Sequence, residues 1–195
     1  MQSKLLLAKL LETILPPNYT GIEIGVDRAE TTICLLNNCP NLAYLYAVDP
    51  WTNRDSRFEE VQTMLISYDK CCLYRAKSED IVEELPMLDF VFIDGDHSYA
   101  GVKIDLEKYV PKIKSGGILS GHDWTCIRED FGVVGAGTEF LHKNNSLFKP
   151  LMTNEQLQEI GLGDFRQAAY SSELNRSLLY KKHPSQYPLW WLQKT

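Results

Sequence analysis

Leu88–Trp124 reads LDFVFIDGDHSYAGVKIDLEKYVPKIKSGGILSGHDW, and the order of residue types in it decides the fold class. Leu88–Ile93 is an apolar run of strand length that ends in Asp94-Gly95-Asp96-His97. Tyr99–Tyr109 carries helical spacing, and Gly116-Gly117 predicts a turn. A second strand over Gly117–Ser120 then runs towards His122-Asp123. Strand, crossover helix and second strand make a βαβ unit with parallel strands. In an open parallel sheet, ligands bind at the carboxyl ends of the strands. This chain places two of its four histidines and three aspartates at those two ends.

The same alternation extends outward in both directions. Leu7, Leu10, Leu11, Ile14 and Leu15 have the spacing of an amphipathic helix, which Pro16-Pro17 terminates. Gly21–Val26 is a short strand entering a glycine turn, and Glu30–Asn37 continues as a helix. Leu42–Val48 is an apolar strand capped by Asp49-Pro50, followed by a helix over Arg57–Tyr68 and a strand over Cys71–Arg75. Ser78 has the chemistry of an N-cap, with Glu79 and Asp80 suited to a helix N-terminus. Strands and helices thus alternate from residue 21 to about residue 120, the pattern of a mainly parallel sheet. Beyond it, Gly132–Lys143 predicts a helix, Leu147–Met152 and Ser177–Tyr180 predict strands, and Pro188–Lys194 predicts a closing strand, antiparallel to the rest.

Composition narrows the class. A chain of 195 residues with 44% hydrophobic content is long enough for one domain with a real core. A net charge of -6 argues against nucleic acid as a partner, because phosphate binding draws on clustered Lys and Arg. No apolar run approaches the ~18 residues of a membrane span, so no membrane association is expected. Lys4, Lys9 and Glu12 interrupt the first leucines, which reads as an amphipathic helix rather than a signal peptide. Five cysteines without a CxxC pair suggest free thiols in a reducing cytoplasm.

Three groups of residues carry chemistry. Glu23-Ile24-Gly25-Val26-Asp27 joins a strand to a helix through one glycine, a cradle for a nucleotide-like ligand that a plain turn would also satisfy. Asp49 follows 24 residues after Gly25, which suits hydrogen bonds to ribose hydroxyls; the alternative is an aspartate that caps the turn before Pro50. Without a pyrophosphate-type glycine motif, the pair points to a nucleoside rather than a dinucleotide. Asp94, Asp96, His97, His122 and Asp123 form the third group. Carboxylates with imidazoles can hold Mg²⁺ or Mn²⁺, and His97 can act as a general base. Capping of the helix near Tyr99 would also account for Asp96 and His97.

With IEIGV, AVDPW, DFVFIDGDHSY and KSGGILSGHDW in view, the chain resembles the class I S-adenosylmethionine-dependent methyltransferases. Within them it is most similar to small-molecule O-methyltransferases with an IDGDHSY…GG…HD signature, related to catechol-type and macrolide-sugar enzymes. The resemblance covers residues 20–124, and PLWWLQK more loosely. It implies a Rossmann-like α/β three-layer sandwich with a seven-stranded, mainly parallel sheet and an antiparallel last strand. It implies one domain: an N-terminal helix (1–19), a donor-binding core (20–124) and acceptor-side and closing elements (125–195). Glu23, Gly25 and Asp27 would meet the methionine part of the donor, Asp49 the ribose, and Pro50 and Trp51 the adenine. Lys77, Ser78 and Glu79 would meet the adenine edge. Asp94 would serve both the donor site and a cation, which His122 and Asp123 would also hold. His122 departs from the catechol-type pattern. His97 stands where those enzymes carry a basic lysine and is the expected catalytic base.

The expectation is therefore a cytoplasmic enzyme that methylates a small hydroxylated metabolite or sugar. A nicotinamide oxidoreductase and a non-catalytic nucleoside-binding protein of the same fold are the alternatives. The apolar first helix is compatible with a homodimer and with a monomer.

Overall fold

The crossover pattern closes into one sheet of six strands among the described residues, in the order β3-β2-β1-β4-β5-β6. The structure is a computed structural model that describes residues 2–124, 132–150, 152–162 and 189–195. Strands β1 (Tyr19–Ile24), β2 (Leu42–Asp49), β3 (Cys71–Arg75), β4 (Leu88–Ile93) and β5 (Ile113–Gly121) are mutually parallel. β6 (Trp190–Gln193) pairs antiparallel with β5. The fold is a Rossmann-like α/β sandwich close to the seven-stranded form the resemblance implies; the predicted strand over Ser177–Tyr180 lies outside the described residues.

Helices flank both faces. On one side α1 (Gln2–Ile14) inserts Leu7, Leu10 and Leu11, all fully buried, and the chain leaves it at Pro16-Pro17. α2 (Glu30–Asn38) and α3 (Asp55–Leu65) complete that layer with Leu35, Leu36, Val61 and Leu65. On the other side α5 (Tyr99–Tyr109) and α6 (Val133–Asn144) contribute Val102, Leu106, Val133 and Leu141. The short α4 (Ser78–Ile81) adds Ile81 there, and α7 (Asn154–Glu159) adds Leu157 to the first layer. Successive strand residues point to opposite faces. Trp191 therefore lies in the first core and Trp190 in the second, both buried, which makes the WW pair a two-sided closure of the sheet.

Two expectations change. β5 does not begin after a Gly-Gly turn; it runs from Ile113 through the glycines. Its pairing shifts from Leu88↔Ile113 to Phe90↔Ile118, and Gly116 at φ 81° absorbs the extra residues as an irregularity inside the strand. The predicted strand over Leu147–Met152 is a single 3-10 turn (Asn145–Leu147), after which Phe148 makes one bridge to Lys194; residue 151 lies outside the described residues.

β1 and β4 are neighbours, yet the chain visits β2 and β3 between them. Strand order reverses at this pair, and its carboxyl end opens as a crevice. Gly25 follows one strand and Asp94 the other.

Candidate active site

Gly25 sits at φ 90°, a region open to glycine, and a Cβ there would stand 2.1 Å from the Asp94 carbonyl oxygen. The two loops that carry the chemistry thus touch backbone to backbone. After Gly25, Asp27 and Ala29 are also left-handed, as are Trp51 and Asn53 in the neighbouring loop after β2.

Asp49 ties these two loops together. Its Oδ2 accepts the amide N–H groups of Val26 (3.1 Å) and Asp27 (3.0 Å), and its Oδ1 accepts that of Trp51 (2.8 Å). Trp51 returns the link by donating Nε1–H to the Asp27 carbonyl at 3.0 Å. Its ring is buried and packs on Phe58, with centroids 5.2 Å apart. A carboxylate has about four lone-pair sites, so Asp49 has little acceptor capacity left after three amides. The sequence signalled the acid at the strand end but not this clamp.

A cleft of about 710 Å³ opens over the switch point, within the ~300–1,000 Å³ of ordinary ligand sites. Of the residues singled out from the sequence, Gly25, Asp27, Asp49, Pro50, Trp51, Lys77, Ser78, Glu79, Asp94 and His97 line it. Glu23, His122 and Asp123 do not. Glu23 is buried beneath the loop, where its Oε2 accepts the Thr32 hydroxyl at 2.6 Å. Ser78 is not the N-cap: Lys77 holds that position in extended conformation, Ser78 is the first helical residue, and its hydroxyl donates to Asp105 across the cleft wall. The cap of α5 is Ser98, whose Oγ accepts the Gly101 amide at 3.1 Å, while Asp96 accepts the Ser98 amide at 2.9 Å.

At one edge of the cleft four side chains converge. His97 Nε2 lies 2.8 Å from Asp123 Oδ2 and 3.4 Å from Asp94 Oδ1. His122 Nδ1 lies 3.2 Å from Asp123 Oδ2 and 3.8 Å from Asp94 Oδ1. The sheet places them: the His122 amide donates to the Ile93 carbonyl at 3.1 Å, one step beyond the β4–β5 ladder. The Trp190 indole donates to the His122 carbonyl at 3.2 Å, so the closing strand also orients the site. Asp123 adopts φ 60° and turns back towards His97.

The electrostatics follow from this crowding. Hydrogen bonds that the imidazolium donates to Asp123 and then Asp94 raise His97 to about 10, against the opposing effect of burial. Burial works against protonation of His122 too, but Asp123 and Asp94 leave its pKa raised. Burial would raise Asp123, yet the two imidazoles hold it well below the usual carboxylate range. The donor set also fits a divalent cation. Asp94, His97 and Asp123 offer ligand atoms within 4.8 Å of one another, and the four imidazole–carboxylate spacings, those of His122 included, run from 2.8 to 3.8 Å. Neighbouring ligands of an octahedral ion at about 2.1 Å lie ~3 Å apart.

Glu23 supplies a direct test of the buried layer. Burial, with smaller contributions from Asp94 and Asp49, pushes its carboxyl up to about 8, against the Thr32 hydrogen bond. A carboxyl raised on folding favours the native state below its unfolded pKa, and that contribution is lost as pH rises through the folded value. Glu23→Gln keeps an acceptor for Thr32 and cannot ionise. Its melting temperature relative to wild type is therefore expected to climb between pH 5 and pH 9, by the equivalent of roughly a few kcal/mol. A difference that stays constant across that range would show that Glu23 is not held neutral.

A methyltransferase-domain family model matches residues 22–124. That is more than half of the chain, and it contains the glycine loop, Asp49 and the whole DGDH…GHD segment. The chain belongs to this family of S-adenosylmethionine-dependent methyltransferases and is an enzyme of that class. A search of curated proteins finds no match. Among solved structures, the precorrin-6y C5,15-methyltransferase of Geobacter metallireducens is 19% identical, with a TM-score of 0.57 over 73% of this chain and 71% of that one. The O-methyltransferase TomG of Streptomyces achromogenes, solved with S-adenosylmethionine, is 18% identical, with a TM-score of 0.56 over 74% and 68%. A Clostridium thermocellum protein described as an rRNA methylase is 14% identical, with a TM-score of 0.67 over 99% and 97%. At these identities the three share the fold. No described helix is long and apolar enough to cross a membrane.

Proposed function

We propose that this methyltransferase moves the methyl group of S-adenosylmethionine to an oxygen of a small hydroxylated metabolite or sugar. The observation that carries the reading is the Asp94–His97–His122–Asp123 cluster at the edge of the cleft, opposite the loops that Asp49 clamps. The cleft is lined by six carboxylates, from Asp27, Asp49, Glu79, Asp94, Asp96 and Asp105, against the cations of Arg54, Lys77 and His97. Such a field favours a sulfonium donor with its ammonium group, and it holds the uncharged thioether product less strongly. The same field, with a net charge of -6, disfavours a polyanionic acceptor such as nucleic acid.

In the reaction, the acceptor oxygen forms a bond to the methyl carbon as the carbon–sulfur bond breaks. The sulfur keeps the bonding pair, and S-adenosylhomocysteine leaves. Alignment of the two reactants supplies much of the acceleration, because the sulfonium is already activated. Asp94, His122 and Asp123 would hold Mg²⁺ or Mn²⁺, which when bound lowers the pKa of the acceptor hydroxyl. His97 takes the hydroxyl proton. Once its carboxylate partners are otherwise neutralised, the cause of its high proton affinity is gone.

Isothermal titration is expected to show one molecule of S-adenosylhomocysteine bound per chain. Turnover of hydroxylated acceptors should fall with a chelator and return with Mg²⁺ or Mn²⁺. Failure of S-adenosylhomocysteine to bind, with NAD bound in its place, would replace the methyl donor by a nicotinamide. Full activity in the presence of the chelator would remove the cation.

A further inference from the structure

The stripe of leucines on α1 lies inside the fold, with Leu7, Leu10 and Leu11 fully buried, and leaves little there for a partner. The open edge of the sheet is different. β3 ends the sheet and pairs with β2 on one side. The Leu45 amide donates to the Lys70 carbonyl at 2.8 Å. In a parallel ladder, alternate residues turn both backbone groups to the same neighbour. Cys72 and Tyr74 therefore follow Lys70 towards β2, while Cys71, Leu73 and Arg75 face outwards. The Cys71 amide turns back to the Tyr68 carbonyl at 3.0 Å. The amide and carbonyl of Leu73, the Arg75 amide and the Cys71 carbonyl have no backbone partner among the described residues.

Native sheets blunt such an edge with lysines, prolines or a bulge. Here the strand reads CCLYR and pairs with β2 in unbroken register. Its one charge, on Arg75, lies 5.0 Å over the Phe58 ring and pairs with Asp55. Asp55, Gln62 and Ile66 follow one another at helical spacing, so they share the flank of α3 that reaches β3. Ile66 on that flank is 81% exposed.

We propose that β3 is the contact with a second copy of this chain, the two strands pairing antiparallel about a two-fold axis at Leu73. Self-complementarity is what commits the edge to its own copy. About that axis, each residue meets the one equally far on the other side of Leu73. Outward-facing residues then meet outward-facing ones. The two Leu73 residues exchange both of their hydrogen bonds, and each Arg75 amide donates to a Cys71 carbonyl. Asp69 and Lys77, four residues either side of Leu73 and both exposed, are set opposite one another at both ends of the seam. Lys77 has a 3.8 Å contact with Glu79 and is otherwise free to make that pair. A slip of one residue would bring to the seam groups already bonded to β2. The contact is isologous and closes at two chains. An edge of five residues buries a modest area, so the dimer belongs to the weak class.

Sedimentation velocity of the full chain from about 1 to 200 µM tests this, with wild type expected to pass from one chain to two. Leu73→Pro removes an outward amide and no bond to β2, and it should be monomeric throughout. Asp69→Lys sets lysine against lysine twice and should raise the dissociation constant about 5- to 30-fold at low salt. Adding Lys77→Asp to it reverses both charges and should restore the dimer. Should Leu73→Pro fail to fold, the charge series decides alone, since both of its positions are exposed. Wild type that stays monomeric over the whole range overturns the proposal. So does a dimer that Leu73→Pro and Asp69→Lys leave intact, or one that the double charge swap fails to restore.

Discussion

Gly25→Ala is expected to lose about 2–5 kcal/mol of folding stability, the sum of left-handed strain at a non-glycine residue and overpacking against a neighbour. The added Cβ meets Asp94 O at 2.1 Å, Asp94 C at 2.4 Å and Gly95 Cα at 2.6 Å. All three are backbone atoms, so no side chain can rotate away. Nor can the backbone yield cheaply, since the Gly25 amide donates to Val48 at 2.9 Å and the Asp94 amide to Ile24 at 2.8 Å. Relief requires the β1 and β4 ends to part, which displaces the donor loop from the DGDH loop. For a chain of this size the loss corresponds to a fall in melting temperature of roughly 5–15 °C. S-adenosylhomocysteine affinity should fall with it, because Gly25, Asp27 and Asp94 all line the cleft. A variant that melts within about 2 °C of wild type and binds normally would show that the two loops separate freely.

His97→Ala should produce the opposite signature, with donor binding retained and chemistry lost. Loss of a positioned base costs about 10²–10⁴-fold in turnover. His97 lies at the edge of the cleft, 2.8 Å from Asp123 and 3.4 Å from Asp94, whereas the loops after β1 and β2 are clamped by Asp49. Adding imidazole to the variant should restore part of the rate. The geometry also allows His97 to be a cation ligand, since it belongs to the cluster of closely spaced donor atoms. That role predicts a different result: Mn²⁺ affinity would drop with turnover, and excess Mn²⁺ rather than imidazole would rescue it. Unchanged turnover would remove His97 from the mechanism.

The difference between these two variants mirrors what could be read from the chain alone. Cys71–Arg75, Leu88–Ile93 and Tyr99–Tyr109 occur as elements with the bounds that pattern and turn chemistry predict. Such signals are local, since apolar spacing reports which face of an element is buried whatever covers it. The glycine turn, Asp49 and the DGDH…GHD ends were legible for the same reason: each follows directly on a strand. The errors were also local in origin. Ser78 has cap chemistry, but Asp105, far along the chain, captures its hydroxyl once α5 packs beside it. Gly116-Gly117 has turn chemistry, but β5 runs on through it: the glycines bond to Lys194 at the far edge, and pairing with β4 resumes at Ile118.

The sequence by itself determined the class of sheet, the ends of the strands and which of those ends are acidic. Tertiary structure decided which of the acids face one another. Asp49 binds three amides, and Glu23 lies beneath the donor loop rather than in the cleft. Asp94 and Asp123 converge on His97, and Asp105 joins the wall of the cleft. The physical reason is strand order. Placing β1 beside β4 brings distant loops within hydrogen-bonding distance, and no periodicity along the chain records that adjacency. The DGDH…GHD segment names the residues; the switch point makes them a site.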